Sequence, residues 1–235
     1  MTHALPKTAV LIPAGGSGSR MGGIRKQYRT LGGHSVLYQT VSVFASMPEI
    51  SCVIVAVPQD ALSETRNQLD AGSFLVPVQV VEGGTSRQKS VWKALQQVSN
   101  EEIVLVHDAV RPFLSPTDVR RVIRGTAEQG AAALAIPVVD TLRRGYADVF
   151  AEMVPRDGLF RTQTPQGVRT EVFRTAHQKA LAENRDATDD VALVQHMGIS
   201  VRILDGSPWN IKITTSEDWD FAETFWPIWQ QMRNE

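Results

Sequence analysis

The chain has 235 residues, 43% of them hydrophobic and 21% charged, with a formal net charge of −1 at pH 7. That is enough apolar material for a sizeable core, and the near-neutral balance argues against bulk electrostatic binding to nucleic acid. The single cysteine, Cys52, allows no internal disulfide and no thiolate metal cluster, and reads as a small buried hydrophobe. No apolar run approaches the ~18 residues of a membrane span, and the run Ala9–Ile12 meets Pro-Ala-Gly-Gly too soon for a signal peptide, so the cytoplasm is the expected compartment.

Thr8–Ile12 reads as a buried strand stopped by Pro13. Four glycines follow within eight residues (Gly15, Gly16, Gly18, Gly22), then Gly23, interleaved with Ser17, Ser19 and Arg20 and succeeded by Arg25, Lys26 and Gln27. Glycine lets another molecule approach the backbone closely, and successive exposed N–H groups make an anion-binding concavity. With Arg20 and Lys26 framing it, the stretch Pro13-Ala14-Gly15-Gly16-Ser17-Gly18 reads as a cradle for a nucleoside triphosphate. A plain flexible turn is the competing explanation, and the preceding strand and the two cations weigh against it. The dinucleotide fingerprint fails because its third glycine would fall on Met21, and the P-loop fails because Arg20 and Gly23 stand where Gly-Lys should begin.

Further on, residues 35–46 carry apolar side chains at helical spacing, and Cys52–Val57 is a continuous strand-like run closed by Pro58. A polar helix over about 60–70 leads to a third strand, Pro77–Val81. A second Gly-Gly turn, Gly83-Gly84, sits between that strand and a helix marked by Val91, Ala94, Leu95 and Val98. By itself this is an ordinary strand-to-helix connection. Ile103–Val106 is a fourth strand, which places Asp108 at its carboxyl end, where parallel α/β sheets bind ligands. A carboxylate there can hold Mg²⁺ against triphosphate oxygens, or can simply cap the loop. His107 reads as a packing residue. Ser115-Pro116 starts a helix running to about Glu128, and Ala131–Ile136 is the fifth strand.

The strand–helix rhythm then breaks. Residues 142–163 alternate and read as an extended arm or hairpin, which is marginal in water unless it lies on something. Helices follow at about 170–184 and 188–197, the second capped by Thr188, then short strands at Val201–Leu204 and Asn210–Thr214. The last helix, capped by Ser216, carries Trp219, Trp226 and Trp229 beside several acids, so core cover or subunit packing explains them better than a membrane surface.

Six segments in colinear order make the chain similar to the 2-C-methyl-D-erythritol 4-phosphate cytidylyltransferase family. Its P-A-A-G-x-G-x-R-M and P-K-Q-[FY] signatures stand here as Pro13–Met21 and Arg25–Tyr28, with Gly15 for the second alanine and Arg25 for the proline. H-D-[AS]-x-R-P stands at His107–Pro112, [DP]-R-x-x-L at Pro155–Leu159, x-x-T-P-Q at Thr162–Gln166 and N-I-K-[VI]-T at Asn210–Thr214. The resemblance implies one α/β domain over 1–235: a mostly parallel, Rossmann-like nucleotidyltransferase sheet flanked by helices, with a dimerisation arm at about 141–163. It implies cytidylyl transfer from CTP to the polyol phosphate, in isoprenoid precursor synthesis, with Mg²⁺. It makes Arg20, Lys26, Arg156 and Lys212 catalytic, and Gly83, Gly84, Arg87, Ser90, Asp108 and Ala109 nucleotide-binding beside the first loop. Asp108, Arg111, Thr141, Arg156, Thr188 and Lys212 face the polyol phosphate, and Asp108 is the metal ligand. A homodimer exchanging arms completes each site, with no nucleic acid or membrane partner. The nearest rival is ribitol-5-phosphate cytidylyltransferase. From another class comes a non-catalytic nucleotide-binding regulator; a plastid-bearing source would move the location to the stroma.

Overall fold

The computed structural model describes residues 4–16, 25–187 and 189–234. In chain order its strands and helices are β1 (Thr8–Pro13), a small hairpin β2 (Thr30–Leu31) and β3 (His34–Ser35), α1 (Val36–Ala45), β4 (Ile50–Val57), α2 (Leu62–Asp70) and β5 (Val78–Glu82). Then come α3 (Arg87–Leu95), β6 (Ile103–Val106), α4 (Pro116–Gln129), β7 (Ala131–Pro137) and a second hairpin, β8 (Leu142–Tyr146) with β9 (Val149–Val154). The chain ends with β10 (Phe160–Arg169), α5 (Thr170–Ala182), α6 (Asp190–Gln195), β11 (Arg202–Asp205) and α7 (Ser216–Asn234).

Seven strands form one sheet in the order β11-β7-β10-β6-β1-β4-β5. All run parallel except β10, which is antiparallel to both neighbours. β1 lies near the middle because nothing in it tolerates water: Ala9, Val10, Leu11 and Ile12 are fully buried. Alternate side chains serve opposite faces. Val10 and Ile12 pack into a cluster with Leu37, Val41 and Phe44 of α1 and Val119, Val122 and Ile123 of α4. Ala9 and Leu11 pack into another with Val91 and Leu95 of α3, Phe173 of α5 and Leu193 of α6. Each such Leu, Ile or Phe contributes roughly 1.5–3 kcal/mol relative to exposure. The strand order reverses between β1 and β6, so a crevice opens above the carboxyl ends of these two strands.

Helix α7 adds a third cluster, in which Trp219, Trp226 and Trp229 are buried with Leu31, Val36, Phe113 and Phe225. The tryptophans are therefore core cover. Gly32 shows how closely they fit: its φ is +59°, and a Cβ there would stand 1.8 Å from Trp226 Nε1. The cap of this helix is Thr215 rather than Ser216. Thr215 Oγ1 accepts from Asp218 N at 3.2 Å and Asp218 Oδ2 accepts from Thr215 N at 2.9 Å, a reciprocal capping box.

Three other expectations need correction. The arm expected over 142–163 ends as a hairpin at Val154, and Phe160–Arg169 is an interior strand of the main sheet. Pro165 argues against an interior strand, and the sheet accommodates it at a register shift between Thr162 and Gln166 against β7. Asn210–Thr214, expected as a strand, is irregular. Its polar groups find partners outside any ladder: Arg111 donates to Asn210 O at 2.7 Å, Asn210 Nδ2 donates to Thr164 O at 2.8 Å, and Ile213 N donates to Val110 O at 3.0 Å. Finally, α6 is capped by Asp189, which accepts from Ala192 N at 2.9 Å; the expected cap, Thr188, lies outside the described residues.

Candidate active site

The loop after β1 is pinned where it leaves the sheet. Ala14 N donates to Ala56 O of β4 at 2.8 Å, extending the strand pairing by one residue. The buried carboxamide of Gln27 donates to Ala14 O at 2.9 Å and to Gly16 O at 3.1 Å. Ser17, Gly18 and Arg20 lie outside the described residues. Lys26 begins a short 3-10 turn and lines the cleft beside Gly15 and Gly16. Arg25, standing where the resembled signature has proline, has φ −71°, within the range a proline ring imposes. Its guanidinium pairs with the exposed Asp60 carboxylate at 2.8 Å.

The second Gly-Gly turn closes on Ser90. Its Oγ accepts from Gly84 N at 3.0 Å and donates to Ser86 O at 2.9 Å. Ser86 caps α3 by accepting from Lys89 N. Gly84 has no room for a side chain, because a Cβ would stand 2.4 Å from Lys89 Cβ and 2.8 Å from its backbone carbonyl carbon. Arg87, the next basic residue, is held by two carboxylates. Its Nη1 meets Asp190 Oδ2 at 2.7 Å and its Nε meets Asp108 Oδ1 at 3.4 Å.

Asp108 stands at the end of β6 amid three cations. Besides Arg87, Arg111 Nε lies 3.1 Å and Lys212 Nζ 3.0 Å from Oδ2. Burial alone would raise this carboxyl, but Lys212, Arg87 and Arg111 together hold it well below the usual carboxylate range. Asp190 behaves oppositely: burial raises it, and Arg87 only partly offsets this.

Behind Asp108, fully buried His107 ties the site to β10. Thr164 Oγ1 accepts from Asp108 N at 3.0 Å and lies 3.1 Å from His107 Nδ1, to which it donates because His107 Nε2 faces the carbonyl oxygen of Arg111, an acceptor only. His107 Nε2 then carries the ring proton and donates to Arg111 O at 3.0 Å. Burial pushes His107 down to about 4, in keeping with this neutral tautomer. Its packing role, edge-on to Phe44, is as expected.

These pieces enclose a cleft of about 390 Å³. Pro13, Ala14, Gly15, Gly16, Lys26, Gly84, Arg87, Ser90, Asp108, Ala109 and Lys212 all line it, as does Gln27. Gly83 lies just outside, in the hollow on the other side of the turn. Arg111 opens onto an adjoining hollow that shares Lys212. Thr141 and Arg156 are elsewhere: they line a separate hollow at the root of the second hairpin, where Arg156 donates to Val139 O. A single chain does not bring them to the cleft. Sequence reasoning left Gln27, Thr164 and Asp190 without roles. The first two stood inside quoted motifs, whereas the Asp190–Arg87 contact spans 103 positions and no local pattern announces it.

Among the described residues no three His, Cys, Asp or Glu side chains gather as a metal cluster. Asp108 is the one carboxylate lining the cleft among the described residues. Mg²⁺ commonly takes one or two carboxylates together with substrate phosphates, so this donor set suits an ion that arrives with its phosphates rather than one caged by protein.

The sheet order and this crevice define a doubly wound, Rossmann-like α/β protein whose cleft presents a glycine loop, two lysines and one carboxylate. The model of the family described as 2-C-methyl-D-erythritol 4-phosphate cytidylyltransferase matches residues 8–226. A protein of that name from Salinibacter ruber is 48% identical over 223 residues, 94% of each chain. A bifunctional enzyme IspD/IspF from Desulfotalea psychrophila is 41% identical over 92% of this chain, which spans 56% of that longer protein. The crystal structure of 2-C-methyl-D-erythritol 4-phosphate cytidylyltransferase from Thermus thermophilus matches with a TM-score of 0.79 and 34% identity, covering 93% of this chain and 98% of that one. The chain belongs to the 2-C-methyl-D-erythritol 4-phosphate cytidylyltransferase family.

Proposed function

We propose that the chain transfers a cytidylyl group from CTP to 2-C-methyl-D-erythritol 4-phosphate, giving 4-diphosphocytidyl-2-C-methyl-D-erythritol and pyrophosphate for isoprenoid precursor synthesis. The observation that carries this is the clustering of the Pro13–Gly16 loop, Lys26, Asp108 and Lys212 on one cleft in a chain of this family. The monoester phosphate is already an anion at neutral pH, so no general base is required. One of its oxygens bonds to the α-phosphorus of CTP while the bond from that phosphorus to the bridging oxygen breaks, and pyrophosphate departs with the electron pair. The barrier is repulsion between two anions. Lys26, with Arg20, stabilises charge on the α-phosphate and the leaving group, and Lys212 orients the attacking phosphate. This is catalysis by position and electrostatics.

Mg²⁺ at Asp108 would supply charge neutralisation on the triphosphate. The ammonium of Lys212 and the guanidiniums of Arg87 and Arg111 fix where that carboxylate points. Arg156 and Thr141 belong to the site of a second copy: the β8–β9 hairpin exposes Tyr146, Val149, Phe150 (76% exposed) and Met153, an apolar surface that a homodimer would cover. The working compartment is the cytoplasm, and no helix among the described residues is long and apolar enough to cross a membrane.

Pyrophosphate release tests the reading, with CTP and either 2-C-methyl-D-erythritol 4-phosphate or ribitol 5-phosphate, and with UTP replacing CTP. Turnover should need CTP and the methylerythritol substrate. Equal rates with ribitol 5-phosphate would overturn the substrate assignment, and CTP binding without turnover would make the chain a regulator.

A further inference from the structure

The phosphate loop and the lysine opposite it are separate pieces of chain, and one buried side chain joins them. Gln27 is 2% exposed, and both protons of its carboxamide are committed: Nε2 donates to Ala14 O at 2.9 Å and to Gly16 O at 3.1 Å. Ala14 is held from its other side by Ala56 O of β4. Residues 14–16 are thus clamped between the sheet and residue 27.

Lys26 sits on the same short turn, and its neighbours are tied down independently. Arg25 pairs with Asp60 at 2.8 Å, and Tyr28 Oη meets Thr65 Oγ1 at 3.0 Å. The turn's own backbone bonds, Tyr28 N to Arg25 O and Arg29 N to Lys26 O, close it at 3.0 and 3.2 Å. Of these anchors, only Gln27 connects the turn to the glycine loop.

We propose that Gln27 is a positioning residue that sets the distance between the phosphate-cradling backbone at 14–16 and the Lys26 ammonium. It touches no reacting atom. The carbonyls of Ala14 and Gly16 point to its amide, which orients the peptide planes of the loop entrance, while its backbone carries Lys26 at a fixed offset. A donor of transition-state charge stabilisation works only when held in place beforehand, and a shift of about 1 Å can cost about 100-fold. This inference rests on the cytidylyl-transfer reading and on Lys26 acting in it.

Glutamine to glutamate is the informative change, because it keeps size and replaces a two-proton donor by an acceptor facing two carbonyl oxygens. Buried against them, the new carboxyl is raised and holds its proton to higher pH, and the protonated form can donate one of the two hydrogen bonds again. Steady-state kinetics of Gln27→Glu should show kcat reduced about 10- to 100-fold at about pH 8.5, with KM for CTP changed less than about threefold. The ratio of variant to parent kcat should rise at least about fivefold on going to about pH 6.5. Gln27→Asn, neutral but one methylene shorter, should lose kcat with no such recovery, and it serves if the charged variant does not fold. Lys26→Ala, run in parallel, should lose about two to three orders of magnitude in kcat. If kcat of Gln27→Glu and Gln27→Asn stays within about twofold of the parent while Lys26→Ala collapses, Gln27 has no positioning role. An equal loss at both pH values in Gln27→Glu would also overturn it, since a packing defect has no reason to follow that proton. Unchanged activity in Lys26→Ala would instead sink the mechanism on which the inference rests.

Discussion

Replacing Arg87 by methionine breaks the buried ion pair that ties the second Gly-Gly turn to α6, together with the longer Arg87–Asp108 contact. The pair is lopsided: the Asp190 side chain is 1% exposed and Arg87 29%, with 2.7 Å between Oδ2 and Nη1. Arg87→Met keeps much of the aliphatic stem and leaves Asp190 with no cation facing it, since its other charged neighbours are Asp108 and Asp189. Breaking a buried pair this way costs about 3–5 kcal/mol. A second bound agrees: at pH 7 a stranded carboxylate can always take a proton, and for an ordinary aspartate that costs about 4 kcal/mol. The proton also sets the pH dependence. A carboxyl raised in the folded state destabilises above its unfolded value, increasingly as pH climbs towards the folded value. The parent's Asp190 is itself raised and carries a smaller penalty of the same sign, so the deficit of Arg87→Met should be at most about 4 kcal/mol at pH 7 and shrink to at most about 1.5 kcal/mol at pH 5. The reverse change, Asp190→Asn, leaves Arg87 partly solvated and still beside Asp108, and should cost only about 1–2 kcal/mol. Urea unfolding at both pH values, at fixed protein concentration, measures these differences. A deficit for Arg87→Met below about 1 kcal/mol at pH 7, or the same deficit at both pH values, would falsify the account.

Other outcomes are equally specific. Burial pushes His107 and His177 down to about 4, so as pH falls the unfolded chain takes up these protons first. The contribution of these histidines should be full above about pH 6.5 and decline towards about pH 4, by up to about 3 kcal/mol per histidine. His177→Phe should flatten that decline, read by thermal unfolding across the window. Gly84→Ala forces a Cβ within 2.4 Å of Lys89 Cβ; it should lower stability by about 1–3 kcal/mol and weaken CTP binding, measured by urea unfolding and calorimetry. Phe150→Glu places a charge on the hairpin's apolar surface. On the proposed arm exchange, in which Thr141 and Arg156 serve a neighbour's cleft, sedimentation should then show a monomer that still binds CTP yet turns over poorly.

What could be read in the residues was whatever depends on local pattern. An apolar run such as Ala9–Ile12, followed by glycines and then by Lys26, already places a buried strand, a close-approach loop and a cation together, because strand burial and loop freedom are properties of consecutive residues. Helices with caps, such as α4 with Ser115-Pro116, are legible for the same reason. Asp108 could be placed at a strand's carboxyl end but not told apart from a loop cap. The resemblance drew attention to Arg87 and Lys212, but the ion network around Asp108 was invisible, since Arg87, Asp108, Asp190 and Lys212 come from separate parts of the chain.

Only the tertiary structure decided the remainder. Phe160–Gln163 looks like the end of an arm, and the chance to pair on both sides, with β6 and β7, makes Phe160–Arg169 an interior strand despite Pro165. Asn210–Thr214 looks like a strand, and lacks a ladder because Arg111 and Thr164 engage its backbone and side chain first. Gln27 shows the division most clearly. Its identity is written in the sequence, but its task depends on two carbonyls more than ten positions away, and only the folded chain brings those within hydrogen-bond reach.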